Sequence, residues 1–236
     1  MRDRYRLHRL AWVLLCVVPF GGADAQEEPQ VSPELNRTYV DPSLDVETWV
    51  QRFEGESREV FSARREVLKA SGIKAGERVA DVGAGTGLYT RLFAEAVGKT
   101  GWVYAVDIST AFLSHINETV ARTGLDNVTA VLGQVDSIAL PAESVDVAFV
   151  CDTYHHLEAV EPMLASVRRA LAPGGRLIVV EFDRVEGKSR PWILDHVRAG
   201  KDVFRAEIEA AGFVFSREVV IDGFAENYFI VFDKKK

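Results

Sequence analysis

The residues best suited to chemistry start with an aspartate followed by three glycines at alternate positions, in the segment DVGAGTG from Asp81 to Gly87. Glycines let the backbone approach a ligand closely and adopt positive φ angles. Free N–H groups at the start of the following helix suit an anion, whereas the Asp81 carboxylate suits a cationic amino group. The loop therefore indicates a ligand with both an ammonium and a carboxylate, and a plain strand-to-helix turn is the alternative.

This loop differs from the fingerprint of dinucleotide-binding proteins. That fingerprint requires a glycine three residues after Gly85, where this chain has Leu88. Asp81, which precedes the turn, would also repel a pyrophosphate. A nicotinamide-dependent oxidoreductase is therefore the weaker enzyme hypothesis.

Two further segments place acidic residues directly after apolar stretches. Asp107 ends the stretch VYAVD, and its carboxylate can accept both hydroxyls of a ribose; capping of the next helix together with Ser109 is the alternative. Asp136 ends the segment GQVD and can accept from an adenine amino group while Val135 packs near the ring. An exposed turn is the alternative for Asp136.

Apolar stretches that alternate with helical patterns predict the elements that position these residues. Strands are expected over 78–84, 101–108, 128–134, 145–152 and 176–183, and helices over 88–97, 110–122, 158–171 and 194–211. The five strands are apolar on both faces, as in a parallel sheet covered by helices, and two last strands (214–221, 228–232) must pair antiparallel. We expect an α/β fold with a doubly wound, mostly parallel seven-stranded sheet and a C-terminal antiparallel hairpin. Ligands bind outside the carboxyl ends of such strands, so the loop and both acids should meet at one edge.

The chain before the first strand divides into three segments. Residues 1–25 have a basic start, an uncharged apolar run and a small-residue site ending at Ala25, the layout of a cleaved signal peptide. We expect a periplasmic or secreted protein, with an uncleaved N-terminal membrane anchor as the alternative. Residues 26–45 are polar and contain prolines, which predicts a linker. Residues 46–72 are expected to form helices with a break at Gly55 and an end at Gly72, and to cover the site as a lid.

Together these motifs resemble class I S-adenosylmethionine (SAM)-dependent methyltransferases. DVGAGTG resembles their glycine loop, VYAVDIS their ribose-binding strand end, GQVDSIALPAESVDVAFVCDTYHHL their adenine-binding segment and fourth strand, and LAPGGRLIVVEF their fifth-strand motif. The resemblance is nearest to small-molecule enzymes of the quinone-biosynthesis kind. It implies SAM as cofactor, with Asp81, Gly83, Ala84, Gly85, Thr86 and Gly87 at the methionine part, Asp107 at ribose, Asp136 at adenine, and Ile108, Gln134, Val135 and Asp152 beside them.

The methyl acceptor is expected beyond the ends of the fourth and fifth strands. Methyl transfer from a sulfonium is a direct displacement that needs the nucleophile in line with the donor. His155 is the candidate general base, with a structural histidine as the alternative. Asp152 is expected either to bind the cofactor or to orient a histidine. The spacing of these residues with His156 and Asp183 matches no metal-ligand pattern, so the sequence predicts no metal.

The net charge of the chain and the distribution of its basic residues limit the classes of partner that are expected. The formal net charge is −7, and the only basic run is three lysines at the C-terminal end, so nucleic acid is not the expected partner and a small-molecule substrate is. Arg198 and Lys201 are candidates for contacting an anionic substrate, with a solvated helix face as the alternative. A SAM- or nucleoside-binding protein without turnover is the rival function, and a methyltransferase acting on protein or nucleic acid stays open.

Overall fold

Seven strands form one sheet in the computed structural model, which describes residues 34–235. They are β1 (Arg78–Val82), β2 (Trp102–Asp107), β3 (Val128–Leu132), β4 (Val145–Cys151), β5 (Leu171–Phe182), β6 (Phe213–Val219) and β7 (Asn227–Lys234). Their order across the sheet is β3-β2-β1-β4-β5-β7-β6. The strands from β1 to β5 run parallel, and β7 pairs antiparallel with β5 and β6. The predicted sheet with its C-terminal hairpin is confirmed.

Helices cover both faces of this sheet. They are α1 (Glu34–Arg37), α2 (Val46–Phe53), α3 (Glu59–Ser62), α4 (Arg64–Ser71), α5 (Leu88–Val97), α6 (Thr110–Thr123), α7 (Val160–Ala170), α8 (Pro191–His196) and α9 (Lys201–Ala210). Within residues 34–235 no helix combines the length and apolar character that crossing a bilayer requires. The predicted signal peptide and the start of the predicted linker lie outside the described residues.

Two boundaries predicted near the C-terminal half are wrong. The helix predicted over 194–211 is divided into α8 and α9, because Val197 takes an extended conformation and is almost fully buried in the core. Burial of this side chain overrides the helical pattern of the sequence. The helix predicted over 158–171 and the strand predicted over 176–183 leave a connection between them, but residues 171–175 lie inside β5, where the pairing with β4 shifts between Leu171 and Arg176. Gly174 has a positive φ of 78°, which lets the strand kink there.

The segment before β1 is helical in shorter pieces than its pattern indicates. The break near Gly55 is found, because α2 ends at Phe53, and Gly72 ends α4 in the left-handed conformation. A further break falls at Ala63, between α3 and α4. Because of these turns, the segment lies beside the carboxyl ends of the strands.

Two apolar cores hold the layers together, one on each face of the sheet. Along β4, Val147 and Phe149 belong to one core and Ala148 and Val150 to the other, and all four are at most 3% exposed. Each large side chain buried in this way contributes about 1.5–3 kcal/mol. The central strands are therefore rigid supports, and residues just beyond their ends are held in fixed positions.

Candidate functional site

A cavity of about 500 Å³ lies at the carboxyl ends of β1, β2, β3 and β4, where parallel strands bring their following loops together. Its volume is typical of sites for small ligands. The predicted site residues that line it are Asp81, Gly83, Ala84, Gly85, Thr86, Asp107, Ile108, Gln134, Val135, Asp152 and His155. Two predicted residues do not line it, namely Gly87 and Asp136.

The glycine loop needs its glycines for two reasons. Gly83, Gly85 and Gly87 all have positive φ angles, of 70°, 53° and 79°. A Cβ atom on Gly83 would also lie 2.2 Å from Cγ2 of Thr153, and one on Gly87 would lie 2.8 Å from Cγ1 of Ile116. The loop is thus more than a plain turn, because it is packed against β4 and α6 while its other side faces the cavity.

Asp81 ends up as a buried carboxylate below the glycine loop. It is 3% exposed, and Oγ1 of Thr90 donates to it over 2.6 Å. Burial raises the pKa of Asp81 to about 7, even though the hydrogen bond from Thr90 acts in the opposite direction. A cationic group entering the cavity would favour the charged carboxylate, which fits the predicted pairing with an ammonium.

Asp107 has a structural role at the start of α6 and also lines the cavity. Its carboxylate accepts from the backbone N–H of Gly85 over 2.8 Å and from that of Ser109 over 2.8 Å. The side chain of Ser109 itself caps α6 by accepting from Phe112 N–H. Asp107 therefore ties the glycine loop to the start of α6 and also faces the cavity, where its remaining lone pairs suit ribose hydroxyls. Burial raises its pKa above the ordinary value.

The loop after β3 contributes less than its motif suggests. Gln134 pairs with Ser137 through their backbones, and the loop exposes half of the Val135 side chain on the cavity rim. Asp136 is exposed and is not among the residues that line the cavity. Its assignment to adenine stays a prediction, and an exposed turn position is what the structure shows.

Asp152 has different partners from those expected. It takes a positive φ of 46°, and its carboxylate pairs with the guanidinium of Arg58 and accepts from Nδ2 of Asn227 over 2.8 Å. No hydrogen bond to a histidine is found for it among the described residues. Arg58 comes from the N-terminal helical segment, so Asp152 fastens that segment to the end of β4.

A second fastening point joins the same segment to the glycine loop. Glu54 accepts from Oγ1 of Thr86 over 2.8 Å and from the guanidinium of Arg91 over 2.6 Å. Between the two points, the half-buried rings of Trp49 and Phe53 pack 5.0 Å apart and line the cavity instead of filling the core. The N-terminal helices therefore form one wall of the site.

Three histidines form the opposite wall. His155 is 1% exposed, and its Nδ1 lies 2.8 Å from a carboxylate oxygen of Glu181. Nδ1 of His156 lies 3.1 Å from Oδ1 of Asn36, and the ring of His196 stacks on Trp192 at 4.6 Å. Burial and the neighbouring imidazoles lower the pKa of His156 to about 2 and that of His196 to about 4. Both rings are therefore neutral at physiological pH.

Sequence reasoning missed the contribution of His196 and misplaced its neighbours. Arg198 forms a buried ion pair with Glu207, with contacts of 2.6 Å, and Lys201 pairs with Glu218 over 2.8 Å. Neither lines the cavity, so the structure lends no support to their contact with an anionic substrate. His196 ends α8, and only the packing of α8 beside the 3₁₀ turn Tyr154–His156 reveals it. No spacing along the chain could have indicated that contact.

Comparison with known proteins accounts for this arrangement. A family model described as a methyltransferase domain matches residues 79–175, which include the glycine loop, Asp107 and both histidines after β4. The ubiquinone/menaquinone biosynthesis C-methyltransferase UbiE of Ectopseudomonas mendocina is 34% identical over 122 residues, 51% of this chain and 48% of that protein. Residues 79–175 are thus similar to a methyltransferase domain. It spans about half the length of the curated relatives it matches.

Solved structures extend this similarity beyond the matched residues. A SAM-dependent methyltransferase from Aquifex aeolicus superposes with a TM-score of 0.69 at 27% identity, covering 82% of this chain and 98% of its own. The [4+2]-cyclase SpnF shares the fold, with a TM-score of 0.62 at 16% identity over 74% of this chain and 81% of its own. The cofactor of the domain is SAM.

The cavity fits that cofactor. The buried Asp81 carboxylate lacks a cationic partner among the hydrogen bonds described for it, and SAM brings an ammonium. A Cβ atom on Gly85 would lie 3.7 Å from the ring of Phe53, which lines the cavity, so glycine at this position leaves the backbone open to a ligand. Asp107 is held by two N–H groups in an orientation that leaves it facing the cavity.

Proposed function

We propose that this protein transfers the methyl group of SAM to a small-molecule acceptor by direct in-line displacement. The observation that carries the proposal is the shape of the cavity. A single cavity is lined both by the glycine loop and by the histidines and Trp192. Donor and acceptor would therefore meet inside it, and a cavity of about 500 Å³ leaves room only for a modest acceptor beside the cofactor.

The walls of the cavity favour a planar, largely apolar acceptor. Phe182 and Trp192 lie with ring centroids 5.3 Å apart, and Tyr39 packs 5.0 Å from Trp49 on the N-terminal side. Aromatic rings pack well against other rings through edge and offset contacts. The relatives named for ubiquinone and menaquinone biosynthesis methylate carbon according to their names, so phenolic and quinol rings are the first acceptors to test.

Within this proposal the protein acts by holding the two reactants. SAM supplies the electrophilic methyl group, and the enzyme's contribution is proximity and alignment. Asp81 would pair with the ammonium of SAM, and Asp107 would accept from its ribose hydroxyls. Nε2 of His155 is buried without a hydrogen-bond partner, and Nδ1 is paired with Glu181. Because His155 lines the cavity, we propose that this nitrogen acts as the base once an acceptor is bound.

Detection of catalytic turnover with SAM would distinguish a methyltransferase from a binding-only protein and from an oxidoreductase. Calorimetric titration with SAM should show one site, and mass spectrometry should detect S-adenosylhomocysteine only when an acceptor is added. The matched variant Asp107→Ala should reduce both signals. SAM binding without S-adenosylhomocysteine across phenolic, quinol, amine and carboxylate acceptors would support the binding-only alternative. Binding of NAD in place of SAM would support an oxidoreductase.

We also propose that residues 1–25 direct export and are removed after Ala25, on the sequence layout described above. A reporter enzyme that is active only outside the cytosol should gain activity when fused after residue 45. Mass spectrometry of the mature chain should find Gln26 as its first residue. An inactive fusion, or an active one that keeps residues 1–25, would reject cleaved export, and the second result would support the anchored alternative.

A further inference from the structure

The histidine wall has the make-up of a metal-binding site. One ring nitrogen from each of His155, His156 and His196 can be chosen so that all three lie within 4.8 Å of one another. The rings of His155 and His156 are 4.2 Å apart, and that of His196 is 5.0 Å and 5.2 Å from them. The three imidazoles share no hydrogen-bond acceptor. Hydrogen bonding therefore does not explain why they lie together.

The hydrogen bonds around the first two rings define which nitrogens are free. A carboxylate such as Glu181 only accepts, so Nδ1 of His155 donates to it and Nε2 is the ring nitrogen left over. Nδ2 of Asn36 donates to the carbonyl of His156 and to Glu158, so its Oδ1 accepts from Nδ1 of His156. Both histidines thus use Nδ1 for an outer partner, and Nε2 of His155 is buried with no partner.

We propose that His155, His156 and His196 bind a divalent transition-metal ion on the acceptor side of the cavity. Imidazole nitrogen suits Zn²⁺, Co²⁺, Ni²⁺, Cu²⁺ and Fe²⁺, and three such ligands with a fourth position open are typical of catalytic sites. Glu181 and Asn36 are the outer partners that hold two of the ligands in the required tautomer. This inference goes beyond the proposed methyl transfer and does not depend on it.

The adjustment needed for binding is small. Tetrahedral nitrogens at about 2.1 Å from a metal lie about 3.4 Å apart, so nitrogens separated by up to 4.8 Å must close by up to about 1.4 Å. His196 is the ring best able to move, because it is half-buried at the end of the short helix α8. His155 and His156 are already fixed by their outer partners.

An ion at this place would change the chemistry available to the acceptor. Its open position faces the cavity, where an acceptor oxygen could bind and be polarised. Because the ion would occupy the lone pair on Nε2 of His155, metal binding and base catalysis by His155 exclude each other. Measuring whether the protein binds a metal would therefore also show whether His155 acts as a ligand or as a base.

The test uses the full chain, stripped with a chelator and then titrated with Co²⁺ or Zn²⁺ without SAM or acceptor. We expect one equivalent to be retained after desalting, with intense visible absorption from four- or five-coordinate Co²⁺. His196→Ala should weaken binding at least tenfold, and Glu181→Gln, which removes an outer partner, by about 10–100-fold. His115→Ala is the matched control, because His115 lies on α6 outside the cluster and should leave binding unchanged.

Several results would overturn the metal site. One is the absence of saturable uptake by the wild-type chain, and another is a Co²⁺ spectrum that matches the ion in buffer. Equal affinity in His196→Ala and His115→Ala would also exclude it. If circular dichroism shows that His196→Ala is unfolded, His156→Asn gives the same comparison. SAM affinity is measured separately, so loss of the metal proposal leaves the methyltransferase proposal intact.

Discussion

The affinity for SAM should rise with pH through about 7, because its ammonium would pair with a carboxylate that burial keeps protonated below that pH. Asp81 is 3% exposed, and its pKa in the ligand-free protein is raised to about 7. Only the ionised carboxylate attracts an ammonium, so binding must release the proton that Asp81 holds at lower pH.

The size of the effect follows from this linkage. If only the ionised form binds, the apparent Kd is about twice its limiting value at pH 7, about tenfold higher at pH 6 and about a hundredfold higher at pH 5. Above pH 8 the affinity should fall again, because an α-amino group loses its own proton with a pKa of about 7.7–8.0. The strongest binding is therefore expected between about pH 7 and 8.

The measurement is calorimetry between pH 5 and 9 in buffers of different ionisation enthalpy, which reports the released proton as well as the Kd. Two controls isolate Asp81. The Asp81→Asn variant should bind SAM more weakly without this rise. 5′-Methylthioadenosine, which lacks the amino-acid part but keeps the ribose, should retain only the pH dependence that arises from Asp107. The reasoning fails if the Kd for SAM is the same at pH 6 and pH 7.5, or if Asp81→Asn shows an unchanged rise.

The same group should affect folding in the opposite sense. Its pKa in the folded protein lies above the reference value of 3.8, so the fold disfavours the charged form. The ligand-free protein should therefore lose stability from this residue as pH rises from about 4 to about 7, with no further loss above. Asp81→Asn should remove that part of the dependence in thermal unfolding, and bound SAM should offset it.

Three more predictions concern the groups around the cofactor. Asp107→Ala leaves two backbone N–H groups without their acceptor and should cost about 2–4 kcal/mol of stability in denaturant unfolding; an unchanged midpoint would contradict this. It should also raise the Kd for SAM by about 5–150-fold, and calorimetry showing the wild-type Kd would remove Asp107 from the site. Gly83→Ala should abolish SAM binding because its Cβ meets Thr153, whereas Gly124→Ala, with a similar φ and open space, should bind normally; equal affinities would show that the contact is not needed. Glu54→Gln should speed SAM dissociation in stopped-flow measurements by weakening the ion pair with Arg91, while Glu56→Gln, an exposed matched control, should not.

Much of the cofactor edge could be predicted because it depends on local patterns. Apolar stretches on both faces identify the parallel strands, and the residues that follow them must share an edge whatever the details of packing. Asp81, the glycines up to Thr86, and Asp107 lie where their motifs indicate. Asp136 is exposed in the turn closed by the backbone pairing between Gln134 and Ser137, and its contact with adenine stays a prediction.

The acceptor side depends on contacts between distant parts of the chain, and the sequence carries no local signal for them. Arg58 meets Asp152 across 94 positions, and Asn36 meets His156 across 120. The break between α8 and α9 arises because burying Val197 is worth more than one further helical turn. That break is what leaves His196 at a helix end, within reach of the other two histidines.

The contacts of the N-terminal helices determine which fragments of this protein keep all the walls of the ligand space. Glu54 and Arg58 lie ahead of the segment that the family model matches, yet each is fastened to a strand-end loop that borders the ligand space. A fragment trimmed to the matched residues would lose both fastening points and, with them, one wall of the ligand space. Retention of the cofactor and selection among acceptors should therefore both suffer in such a fragment.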